Sequence, residues 1–210
     1  MEKTLSRTFS YLFHPLIMTS LGMLILFNSG TSLSVLQSEV KRISIIVTVL
    51  FTFVFPASMV IILYITKMIV SADLHERKER IIPMALSIVM YLFSYFVMKS
   101  IPQLSSGHVV FLLCPPAALF IAMILNWWFM KPSIHMLGIG MLLGLVLVLI
   151  LVYGASLQII FIATVLIGGI LGTSRLVLKI HGPNGILAGF STGFFVTVMV
   201  MTCYVFLVLQ

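Results

Sequence analysis

The sequence predicts an all-α, polytopic membrane bundle of six or seven helices, on three observations. Apolar runs near the ~20 residues that cross a bilayer recur along the 210-residue chain, with only short polar connections between them. The runs are continuous rather than alternating, so they read as helices and not as barrel strands. Only 8% of residues are charged against 61% hydrophobic, and the mean hydropathy is +1.23. No soluble domain has that balance. No boundary or fixed-period repeat divides the chain: residues 1–210 read as a single integral membrane domain, with 1–42 an extra N-terminal segment and 43–210 a six-helix core.

Residues 1–12 are polar to amphipathic and place Lys3 and Arg7 at the headgroups. The first apolar run, 13–27, is short for a span. It contains His14-Pro15, and proline is tolerated in a first helical turn, so its helix is predicted to start there. A serine-rich connection, 28–42, ends in Lys41-Arg42. The second span, 43–70, carries Pro56 in its middle, which predicts a kink. The most charged stretch follows, with Asp73, His75, Glu76, Arg77, Lys78, Glu79 and Arg80. Pro83 opens the third span, to residue 98, and Ser106-Gly107-His108 falls in the loop after it. The fourth span, 109–130, is interrupted by Pro115-Pro116 and closed by Trp127-Trp128, an interfacial belt. Lys131-Pro132-Ser133-Ile134-His135 leads into the fifth, 136–153, whose Gly138, Gly140 and Gly144 permit close helix approach. The sixth run, 157–172, ends in glycines, and the seventh, 186–209, carries a small-residue stripe at Gly189 and Gly193.

Between the last two runs lie Ser174, Arg175, Lys179 and His181. On a helix Arg175 and Lys179 share a face and repel unless an anion lies between them, and an imidazole adds a group that exchanges protons near neutrality. That combination predicts a phosphate site. The alternative is a positive-inside loop with an incidental histidine. If every span crosses, the polar clusters at 73–80, 131–135 and 174–185 share one membrane face, which predicts one composite site. The lysine and arginine excess on that face reads as cytoplasmic by the positive-inside rule, although a phosphate site needs cations on whichever side it faces. Cys114 and Cys203 lie in apolar runs and read as small hydrophobes. A metal site needs three or four converging ligands, and only His135 and His181 are placed for one, so neither metal nor other cofactor is expected. Nothing in the sequence points to nucleic acid.

Ser174-Arg175, five residues, then His181 resembles the third signature, S-R-x5-H-x3-D, of the type 2 phosphatidic-acid phosphatase superfamily. Pro132-Ser133-Ile134-His135 resembles its second, P-S-G-H, with Ile134 for the glycine. The first, K-x6-R-P, is echoed: Asp73 stands at the lysine position, and Ile81-Ile82 separate Arg80 from Pro83. The run from Lys131 to Gly140 is similar to a divergent bacterial branch of the superfamily. The resemblance covers about residues 73–195 and implies a metal-independent, membrane-embedded phosphatase. Its substrate would be a lipid phosphate or lipid pyrophosphate presented among the membrane lipids, in a bacterial inner membrane with the site facing the periplasm.

In that scheme His181 attacks phosphorus and becomes a phosphohistidine, and His135 protonates the leaving alkoxide. Arg175, Ser174 and Ser133 hold phosphoryl oxygens, and Arg80, Arg77 or Lys78 supplies further charge. Two requirements follow. Ser174 and His181 would stand ~10 Å apart on a straight helix, so the helix must end between them or Arg175 must reach forward. The family's orienting aspartate falls on Gly185, so Asn184, a backbone carbonyl, or Asp73, Glu76 or Glu79 must orient the His181 ring. His14 and His75 read as interfacial residues. Two other readings stay open: a catalytically degenerate protein that binds anionic lipid, and a small transporter.

Overall fold

A computed structural model describes residues 2–70 and 77–208, so Asp73, His75 and Glu76 lie outside the described residues. The helices are α1 (Glu2–Leu12), α2 (Pro15–Phe27), α3 (Ser38–Val49), α4 (Phe55–Ile65), α5 (Ile81–Lys99), α6 (Ser106–Phe111), α7 (Cys114–Trp128), α8 (Ile134–Tyr153), α9 (Gln158–Val177) and α10 (Pro183–Val208). No strand occurs among the described residues. Six helices are long and apolar enough to cross a membrane: Ser38–Ile65, Lys78–Lys99, Ser106–Trp128, Ile134–Tyr153, Gln158–Val177 and Pro183–Leu207. The pair α1 and α2, bent by 52° at its junction, makes a seventh if it is counted as one span. The chain is an all-helical integral membrane protein.

Two local expectations are corrected, and the second span shows how it carries Pro56. It runs unbroken from Ser38 to Ile65 and accommodates the proline through a π turn at Leu50–Val54. Proline has no N–H to give to the carbonyl four residues earlier, and that carbonyl, on Thr52, accepts the Tyr91 hydroxyl at 3.3 Å. The same span ends at Ile65 rather than 70, where Lys67 turns the chain with a φ of 59°. Ser106-Gly107-His108 is the first turn of α6 rather than loop: the His108 N–H donates to the Ser105 carbonyl at 3.1 Å, and Ser105 Oγ lies 2.7 Å from His108 Nδ1.

The bundle is built around α8. Within its span 72% of residues are buried, against 17% for Ser38–Ile65, so α8 is the central helix and α3–α4 a lipid-facing one. A helix that is apolar all round suits that place. α10 lies along α8 backbone to backbone. A Cβ at Gly140 would run into the Phe190 carbonyl, one at Gly189 into the Ser133 carbonyl, and one at Gly193 into the Leu137 carbonyl, while one at Gly144 would meet the Phe194 carbonyl at 2.8 Å. The glycines on both helices therefore form a seam that admits no side chain. It fixes the start of α8, with Ser133 and His135, against the start of α10.

Candidate functional site

The three polar clusters meet at one end of the bundle, as loop parity predicts, and hydrogen bonds join them. Arg80, at the head of α5, donates Nη1 to the Pro132 carbonyl at 3.0 Å. The Ser133 N–H donates to the Gly185 carbonyl at 2.8 Å. Arg77 closes the C-terminal end of α7, donating Nε to the Asn126 carbonyl at 2.9 Å and Nη2 to that of Trp127 at 3.3 Å. Asn126 returns a bond from Nδ2 to the Arg77 carbonyl at 2.8 Å.

The helix carrying Ser174 and Arg175 ends before His181, as the motif requires. α9 stops at Val177, and Lys179 adopts a left-handed φ of 54°. That turn folds His181 back toward the bundle. It also takes Lys179 off the helix, so Lys179 and Arg175 do not form the same-face pair expected from their spacing.

His181 is buried, and its Nδ1 lies 3.2 Å from the Lys131 carbonyl oxygen. A carbonyl only accepts, so Nδ1 carries the proton and Nε2 keeps its lone pair. Nε2 is buried with no protein partner. Burial first, and then the charges of Arg80, Arg175 and Lys131, lower the His181 pKa to about 3 against the opposing Lys131 carbonyl. The ring is neutral at pH 7.

The Lys131 carbonyl also accounts for Gly185. A Cβ at residue 185 would stand 2.5 Å from that oxygen and 3.6 Å from His181 Nδ1. The space the motif gives to a carboxylate is filled by backbone, which makes the orienting contact itself. Glu79, the one described acid of the 73–80 cluster, is engaged elsewhere, accepting the Val70 N–H at 2.9 Å.

Beside this cluster lies a cavity of about 700 Å³. Its polar end is lined by Arg7, His14, Arg80, His135 and Arg175. Deeper in, Val60, Met84, Leu119, Leu137 and Met141 line it, with Tyr91 at the inner end. Tyr11 and Ile61 line it too and are 70% and 55% exposed, so the cavity reaches the surface between α1 and α4. A charged end continuous with an apolar body fits an amphipathic molecule entering from the side.

Of the residues singled out by the motifs, Arg80, Arg175 and His135 line the cavity, and His181 stands behind its wall within the fields of Arg80 and Arg175. The buried Ser133 caps α8, its hydroxyl accepting the Met136 N–H at 3.5 Å. Ser174 is spent on its own helix, donating to the Ile170 carbonyl at 2.8 Å. Arg77 and Lys78 are exposed and do not line the cavity. His135 Nε2 lies 3.2 Å from the Ser10 carbonyl, and its ring stands edge-on to His14 with centroids 5.6 Å apart.

Sequence reasoning missed the part played by α1 and α2, which bring Arg7, Ser10, Tyr11 and His14 to the cavity. The one available signal was parity, since His14-Pro15 opens a span on the motif face. Among the described residues no three His, Cys, Asp or Glu side chains converge on a metal position. No protein-family model matches the chain, and no curated protein or solved structure matches it either.

Proposed function

We propose that this protein is a membrane-embedded phosphatase that takes a phosphorylated lipid from the bilayer and transfers its phosphoryl group to His181. The observation that carries this reading is the state of His181. It is neutral and held in one tautomer by the Lys131 carbonyl, with a bare Nε2 in the field of two arginines. Phosphoryl transfer asks mainly for an in-line nucleophile and positive charge around the equatorial oxygens. Arg80 and Arg175 supply the charge, and Nε2 the attacking lone pair once the ring meets the phosphoryl group. The apolar body of the cavity would take the lipid chain. The motif resemblance points the same way.

The test is phosphate release from a panel of lipid phosphates and diphosphates by purified protein in detergent, with chelator present and no metal added. Release with an acid-labile phosphoryl label on the protein supports the reading, and no release from any of them overturns it. One observation favours the rival, a binder of anionic lipid: His181 lies behind the cavity wall rather than in it.

The His181 ring also fixes a pH dependence. Its native pKa of about 3 lies below the ordinary 6.5, so between those values the unfolded chain binds a proton that the native chain does not. The stability contributed by neutral His181 is complete above pH 6.5, falls as pH drops below it, and levels off below about 3. Thermal unfolding in detergent between pH 7 and 4 should show a shallower loss for His181→Asn than for wild type. Parallel slopes would show that the ring is not held neutral.

A further inference from the structure

Arg175 is in electrostatic reach of Arg80 and of three imidazoles, those of His14, His135 and His181. Arg80 and Lys131 act on His181, and both His14 and His181 act on His135. Contact divides these groups into two stations that share Arg175: His181 on the Lys131 carbonyl, behind the cavity wall, and the His14–His135 ring pair, which lines the cavity with Arg7. No motif contains those two residues.

Two details say what the second station holds. His14 Nδ1 accepts the Leu16 N–H at 3.4 Å, so the proton of its neutral ring sits on Nε2, leaving an N–H donor. His135 lies beside the Ser10 carbonyl, which can only accept, so its Nε2 proton is already given to backbone. An alkoxide leaving group needs that proton; a phosphate leaving group does not, because it departs as a stable anion.

We infer that Arg7 and His14 are specificity-determining residues that bind the inner phosphoryl group of a lipid diphosphate, while the terminal phosphoryl group is held between Arg175 and His181. This rests on the phosphatase reading. His181 Nε2 forms a bond to the terminal phosphorus, and the bond from that phosphorus to the bridging oxygen breaks. Lipid monophosphate leaves with the bridging electron pair, stabilised at the second station. Water then attacks the phosphohistidine, the N–P bond breaks with its electron pair returning to Nε2, and inorganic phosphate leaves carrying the oxygen and both protons of that water. Overall one water is consumed, with no oxidant or reductant.

Binding of non-hydrolysable probes separates this inference from the catalytic one. The probes are a dodecyl methylenebisphosphonate, the dodecyl monophosphonate, and methylenebisphosphonate with no chain. One charge-assisted contact to the inner phosphoryl group is expected to make wild type bind the lipid bisphosphonate about tenfold tighter than the monophosphonate. Arg7→Gln and His14→Asn should each pull that ratio toward one. Asparagine is chosen because it can still cap α2, and Arg7→Lys should keep part of the preference. A wild-type ratio near one, or variants that weaken both lipid probes in parallel, overturns the inference. Chain-free bisphosphonate binding as tightly as the lipid form overturns its lipid part. Hydrolysis of neither lipid substrate with the binding ratio intact sinks the phosphatase reading alone. Hydrolysis of both with a ratio near one sinks this inference alone.

Discussion

His181→Asn is expected to lower phosphate release by on the order of 10³-fold or more, the scale of removing a nucleophile from a site whose binding groups remain. Asparagine is the informative substitution because its Nδ2 can donate to the Lys131 carbonyl as Nδ1 does. The turn after α9 then keeps its anchor, and only the attacking nitrogen is lost. Binding of a lipid bisphosphonate should persist within about tenfold, since Arg80 and Arg175 stay in place. Release at the same background rate in both proteins, with both still binding, would make the protein a binder and remove His181 from any chemistry.

Gly189→Ala is expected to cost stability at or beyond the upper end of the ~1–3 kcal/mol usual for overpacking. The obstacle to the new methyl is the Ser133 backbone, with its carbonyl carbon and nitrogen each at 3.0 Å, and not a side chain that can rotate away. Phosphate release should fall with it, because pushing the start of α8 from α10 moves His135 away from Arg175 and loosens the Lys131 contact to His181. Gly169→Ala is the control: nothing lies within 4 Å of a Cβ there. Comparable unfolding temperatures for the two variants would show that the seam tolerates separation.

The membrane class and most of the spans were legible because a bilayer imposes length and hydropathy on every crossing segment. The meeting of Arg80, Pro132, His181 and Lys131 was legible because alternation of crossings fixes which loops share a face. The Lys131 carbonyl was not legible. Backbone carries no residue identity, and only the collapse of α8 onto α10 brings that oxygen to the ring. For the same reason the glycine at 185 reads in the sequence as a lost acid, whereas in the structure it is the condition for the carbonyl's approach. The π turn is not legible either, because Pro56 signals a missing hydrogen bond but not how the helix makes it good. Arg7 and His14 read in the sequence as headgroup and interfacial residues because a short amphipathic helix before a short apolar run looks like an anchor until its 52° bend turns it over the cavity.

The seam between α8 and α10 has a mechanical consequence. With carbonyls of one helix lodged against glycines of the other over several turns, the two can neither slide nor roll past one another without breaking the contact. They behave as a single stiff spar with His135 and His181 mounted at one tip. On the phosphatase reading, the opening that admits a lipid must then be supplied by the elements hung on that spar: the jointed α1–α2 arm and the lipid-facing α3–α4 rod, which border the cavity mouth at Tyr11 and Ile61. Distances between paired spin labels across α8 and α10 should therefore stay fixed through the working cycle, while those between α1 and α4 change.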